Sequence, residues 1–193
     1  MKDFIKFNST IGNLKHLPRS GWVKRGTPNP ETVASHSWRV AVMILEFADE
    51  IRNMGADVGK AVKMALYHDL GESIIGDLIP GNHRYSDISK EEKYGRESNA
   101  VRTLSSESGM NEIYDMWKEM EEKQTIEAII VKDFDITDML LQAFEYMRKY
   151  PSVGRLEEFM ENNGEEVKTE LAKRLVVEIK AEQEKFLQDS VKP

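Results

Sequence analysis

The chain has no cysteine among its 193 residues, which excludes a disulfide framework and a thiolate-held metal, so any bound ion must use histidine, carboxylate or backbone oxygen. It also lacks a long apolar run. The opening residues, MKDFIKFNSTIGNLKHL, scatter charge through their length and read as neither signal peptide nor membrane span, so a cytoplasmic protein with no membrane partner is expected. Basic excess is missing too. The formal charge is -7, which argues against a nucleic acid polymer as partner while leaving room for a small anion in a local basic pocket. No internal repeat, low-complexity tract or Gly/Ser linker divides the sequence, and 1–193 is read as a single domain.

What is present is helical periodicity. Val33, Val40, Ile44, Phe47 and Ile51 recur at helical spacing and predict one helix over Thr32 to Met54; Val58 to Leu70 continues in the same style. Gly71, Gly76, Pro80 and Gly81 then break the pattern, and SKEE at Ser89 is a capping-box pattern that opens a helix toward Leu104. Asn111 to Met120, Thr125 to Tyr150 and Glu165 to Leu187 are three further helices, the second stopped by Pro151. No alternating strand pattern stands out, so the class is all-α. The long non-helical piece, PRSGWVKRGTPNP from Pro18 to Pro30, carries two Arg, one Lys and one Trp and reads as a binding loop.

The ionisable residues on apolar faces raise the functional question. His36 sits between Val33 and Val40, and His68 follows Ala61 and Ala65; each alone is equally readable as a buried, backbone-bonded imidazole. Asp69 shares a face with Val62 and Leu66, and Asp135 one with Ala128, Val131 and Met139. An unpaired carboxylate there costs several kcal/mol. Asp133 points almost the opposite way, and Asp138 is the nearer rival of Asp135. A divalent metal held by His36, His68, Asp69 and Asp135 satisfies all four, and this mixture of nitrogen and oxygen suits Mn, Fe, Co, Ni or Zn better than Ca or Mg. Glu72, four residues after His68, lies where a proton-transfer group is wanted, although a solvated Glu in a last helical turn is the plainer alternative.

With these residues in place, the chain resembles the HD-domain metal-dependent phosphohydrolases, and most of all their 5'-deoxynucleotidase branch. The H...HD...D pattern is His36, His68 with Asp69, and Asp135. The surrounding stretches LPRSGWVKRG, PETVASHSWRVA, YHDLGESIIGDLIP, ISKEEKYGRE and VKDFDITDMLLQAFEY extend the resemblance over most of residues 14–150, with 151–193 left as a helical extension. It implies a helical HD bundle that removes phosphate from deoxynucleoside 5'-monophosphates with one divalent transition metal and acts as a homodimer, for which Ile113, Tyr114, Met116, Trp117 and Met120 offer an apolar segment that is equally readable as core. Glu72 would handle the proton of the attacking water, and Asp77 would match the carboxylate near substrate. Arg19 and Trp22 would match the family's entry-loop pair, with Arg25, His83, Arg84 and Arg96 as further anion contacts or plain surface charges. Ser35 departs from the acidic residue that relatives often carry before the first metal His. Other HD reactions, pyrophosphate removal from guanosine tetraphosphate or phosphodiester cleavage, and a non-catalytic binding module are the alternative readings.

Overall fold

A computed structural model describes residues 3–81, 84–154, 156, 158–159 and 166–190. The order of elements is α1 (Phe4–Gly12), a 3-10 turn (Asn13–Lys15), α2 (Ser20–Val23), α3 (Val33–Glu46), α4 (Ala48–Asn53), α5 (Val58–Tyr67), α6 (Glu72–Ile75), α7 (Lys90–Ser108), α8 (Glu112–Glu122), α9 (Ile126–Lys149) and α10 (Glu170–Ser190). Among the described residues there is no strand, only isolated bridges pairing Pro18 with Thr32 and Pro80 with Ile88.

The centre of the molecule is the mutual packing of α3, α5 and α9. Their apolar stripes, including Val40, Ile44, Ala61, Met64, Val131 and Phe134, close one core, and α10 lays a second against α9. The α7–α8 pair closes a third with α1 and the start of α3, in which Val101, Leu104, Ile113 and Trp117 are buried. Burying such side chains contributes about 1.5–3 kcal/mol each. Ile113, Trp117 and Met120 are therefore core, and a homodimer would have to use a surface other than the apolar face of α8.

Several helix ends follow local chemistry. The Ser89 hydroxyl accepts from the Glu92 amide, as the SKEE pattern predicts, and α7 ends at Gly109 in the left-handed region. Thr125 caps α9, and Pro151 follows its end. Ser35 joins Thr32 in a capping box at the start of α3, so its hydroxyl serves the backbone.

Other ends depart from the periodicity. The helix expected over Thr32 to Met54 breaks at Phe47, letting that ring approach Phe134, at 6.0 Å between centroids, while Ile51 on α4 enters the same core. The Val58 to Leu70 helix stops at Tyr67, and a turn through His68 to Gly71 precedes α6. The last helix begins at Glu170, whereas the predicted start, Glu165, lies outside the described residues. Besides the one-turn α6, two described helices had no counterpart in the periodicity. α1 buries no side chain and leaves Phe4 and Ile5 exposed, and α2 is one turn long.

Asp133 explains how α10 is fixed. It is 1% exposed and accepts from the Lys168 amide at 2.9 Å and from the Thr169 amide and hydroxyl at 2.6 Å each, while Thr169 caps the first turn of α10 through the Ala172 amide. Asp133→Ala leaves those donors without partners and is expected to cost about 2–4 kcal/mol, read as a lowered urea midpoint with unchanged m-value. A loss under about 0.5 kcal/mol, the range of ordinary surface changes, would show that water replaces the carboxylate.

Candidate active site

Three elements bring the four predicted ligands together. α3 carries His36, the turn after α5 carries His68 and Asp69, and α9 carries Asp135. Nε2 of His36 lies 3.1 Å from Asp135 Oδ1 and 3.9 Å from Asp69 Oδ2, while Nε2 of His68 lies 3.1 Å from the same Asp69 oxygen. The rings are 5.4 Å apart between centroids.

The far side of each ring is tied down. Nδ1 of His68 donates to the Ala65 carbonyl at 2.7 Å, and Nδ1 of His36 donates to Asp138 Oδ2 at 2.7 Å. Asp138 is fully buried and is gripped in turn by Arg39 Nε; the Arg39 guanidinium also reaches Glu145 at 2.9 Å and Gln142 at 2.8 Å. With the proton on Nδ1, each Nε2 presents a lone pair, and neither Nε2, though buried, has an aligned hydrogen-bond partner. Two orphaned imidazole nitrogens facing two carboxylates fit a divalent cation, and His36, His68 and Asp69 form a group spaced to hold one.

The electrostatics point the same way. Burial and the nearby Arg19 oppose a proton on His36, yet Asp135 and Asp138 outweigh both and push its pKa up to about 9. Burial opposes charge on Asp69 as well, but His68 and Arg19 hold its carboxyl well below the usual range. This corner of the protein therefore favours positive charge. Glu31 forms a second possible group with His36 and Asp138, but the Trp22 indole and Arg39 already occupy two of its carboxylates.

Around this cluster lies a cavity of about 860 Å³, lined in part by Arg19, Trp22, Arg25, His68, Asp69, Glu72, Asp77 and Asp135. Glu72 is 1% exposed, and neither of its carboxylate oxygens has a hydrogen-bond partner. Burial first, then the charges of Asp69 and Asp77, raise its pKa well above the ordinary value. Arg19 donates to Asp69 Oδ2 at 3.2 Å and lies 3.9 Å from Asp77 Oδ1. Asp77 is held by Ser20, whose amide donates to Oδ2 and whose hydroxyl donates to the Asp77 carbonyl, both at 2.6 Å.

Trp22 is a wall of the cavity, 3% exposed, its ring packed on Tyr146 and Phe159 and its Nε1 donating to Glu31 at 2.9 Å. The Arg25 guanidinium carbon lies 4.4 Å from the Tyr85 ring centroid and 4.1 Å from that of Phe159, and its NH2 is 3.5 Å from Glu158. Arg84 also lines the cavity. Arg96 instead pairs with Glu92 at 2.6 Å on the exposed side of α7, and His83 lies outside the described residues. The residues that sequence reasoning did not assign are Asp138 and Arg39 behind His36, Lys132 on Asp135 at 2.8 Å, and Lys93 with Glu97 beside Glu72. One signal was available: Arg39 follows His36 by three, and Asp138 follows Asp135 by three, which repeats one helical turn on each side of the same contact.

The HD domain model matches residues 11–175. The chain belongs to the HD-domain family. It is 44% identical over 157 residues to 5'-deoxynucleotidase HDDC2 of Dictyostelium discoideum, spanning 77% of this chain and 80% of that protein. The protein of the same name from Homo sapiens is 35% identical over 184 residues, spanning 94% of this chain and 86% of its own length. A solved structure from Pyrococcus horikoshii OT3 superposes with a TM-score of 0.74 at 34% identity, covering 92% of this chain and 97% of that one. The HD-domain fold is thus shared over nearly the whole length.

Asp138 meets His36 from behind, between that ring and Arg39, and its effect is expected on ion affinity. Asp138→Asn should weaken manganese binding about 10- to 100-fold by calorimetry, and Asp69→Asn should remove ion stoichiometry in elemental analysis. Full stoichiometry in the second variant would move the metal centre elsewhere.

Proposed function

We propose that this chain is a metal-dependent 5'-deoxynucleotidase, hydrolysing a deoxynucleoside 5'-monophosphate to the deoxynucleoside and orthophosphate. The observation that carries the reading is the pair of buried, unpartnered Nε2 atoms of His36 and His68 facing Asp69 and Asp135 on the wall of a nucleotide-sized cavity. The relatives named 5'-deoxynucleotidase supply the substrate class. His36, His68, Asp69 and Asp135 would hold one divalent transition metal, Mn, Co, Fe, Ni or Zn. When bound, that ion supplies a Lewis acid that polarises phosphoryl oxygen and makes water acidic enough to attack near neutral pH.

The side chains of the chain divide the remaining work. Glu72 accepts the proton of the attacking water; burial, with the charges of Asp69 and Asp77, raises its pKa above the ordinary carboxyl value and makes it a stronger base than a solvated glutamate. As the water oxygen bonds to phosphorus, the ester bond breaks and the 5' oxygen leaves to be protonated. Arg19 offers a planar donor fork to the phosphoryl oxygens, offsetting charge that builds in the transition state. Asp77, fixed by Ser20, faces the same cavity on the substrate side. Trp22 shapes the wall against which a deoxyribose or base packs, and Arg25 adds positive charge farther along it.

The test is phosphate release from a panel of deoxynucleoside and ribonucleoside 5'-monophosphates with Mn or Co. Orthophosphate as the sole phosphorus product, with deoxynucleotides preferred, is the expected result; background release across the panel overturns the reading, and pyrophosphate as product moves it to another HD reaction. Glu72→Gln should lower kcat by about 10²- to 10⁴-fold while manganese binding, followed by calorimetry, persists.

A further inference from the structure

On the wall of the cavity, α7 carries a largely buried ion pair that the phosphomonoesterase reading does not use. Lys93 Nζ lies 3.4 Å from Glu97 Oε1, one helical turn along, and 3.6 Å from Glu72 Oε1 across the α6–α7 contact. Lys93 is only 19% exposed at its side chain, and Glu97 is buried with Ala100, Val101 and Leu104. Two charges on a face that otherwise packs apolar side chains are costly to desolvate, and an apolar pair of similar volume would commonly be as stable or better. Their placement needs a reason other than packing.

Glu72 supplies one. Both its oxygens are buried without a hydrogen-bond partner, so an ion pair and not a hydrogen bond is what can set how the carboxylate is turned. The charge of Arg19 also acts on Glu72, but its ion-pair partners are Asp69 and Asp77. Among the described residues, Lys93 is the cation that ion-pairs with Glu72. The approach is set by Gly71: a Cβ there would meet Val101 Cγ2 at 3.1 Å and the Glu97 carbonyl at 3.5 Å, so α6 and α7 come as near as they do because residue 71 has no side chain. Glu97 completes the arrangement by holding the Lys93 ammonium from behind.

We propose that Lys93, braced by Glu97, is a positioning residue that aims the Glu72 carboxylate at the reacting water. The inference rests on the role given above to Glu72. A positioning group acts on the chemical step and not on substrate or ion binding, so its loss separates kcat from KM.

Lys93→Met keeps the length and packing of the side chain and removes the charge. Its kcat should fall about 10- to 100-fold, with KM, manganese affinity and melting temperature retained, and Lys93→Arg should recover most of the rate. Wild-type kcat in Lys93→Met overturns the proposal. A loss that Lys93→Arg shares in full, or one that appears as weaker manganese binding, overturns it as well, since charge at this position would not be what matters. Crystal structures of wild type and Lys93→Met read the same point without turnover: a displaced or doubly placed Glu72 carboxylate in the variant supports the brace, and an unmoved one overturns it. If the wild type releases no phosphate from any nucleotide, the functional reading fails while the crystallographic comparison still decides what Lys93 does.

Discussion

Buried charge has to meet opposite charge within a few ångströms, and in this chain that constraint reaches its peak at the His36 imidazole. One nitrogen is bonded to Asp138, the other faces Asp135 and Asp69, and the ring has no contact with solvent. Three carboxylates surround one imidazole, and of the cations that pair with them, Arg19 is shared with Asp77 and Arg39 with Glu145, so negative charge is in excess over the five carboxylates. A divalent ion would offset the excess and use both orphaned nitrogens at once. The helices α3, α5 and α9 then have two tasks in one arrangement, closing an apolar core below and presenting this charged cluster above.

The same constraint organises what lies around the cluster. Groups in and behind the site are each held by a second one: Arg39 stands behind Asp138, Ser20 behind Asp77, and Glu97, itself on the cavity wall, beside Lys93. These backing residues sit on α2, α3 and α7, so the geometry of the site is distributed over elements far apart in sequence. Preorganised donors and charges of this kind are what a phosphoryl transfer site requires, because little else distinguishes its transition state from its ground state.

The all-α class and the starts of most of the longer helices could be read from the sequence, because periodic apolar positions and caps such as Ser89 and Thr125 are local signals. The four proposed ligands were legible for a different reason: a histidine or aspartate on an apolar stripe is a conflict visible without a structure. Lys93 and Glu97 gave no such conflict, since KEEKYGRE reads as an ordinary solvated helix with charge pairs one turn apart; only the close passage of α6, set by Gly71, buries them. The break at Phe47 was hidden likewise, because the apolar spacing runs through it unchanged and only the position of Phe134 on a distant helix explains the turn. Asp133 read simply as the aspartate facing away from the ligands; what it faces, the amides that open α10, is more than thirty residues farther along the chain.

That aspartate makes α9 unusual in one respect. Within two turns the helix carries three carboxylates aimed at three destinations: Asp133 at the start of α10, Asp135 at the ligand cluster, and Asp138 at His36 and Arg39. Each extra residue in a helix rotates everything beyond it by about 100°. An insertion or deletion between 133 and 138 would therefore misdirect at least one of the three whichever end of the helix stayed in place. A substitution between the three aspartates leaves their directions intact, but a change in the count of residues does not, so the spacing here is as constrained as the aspartates themselves.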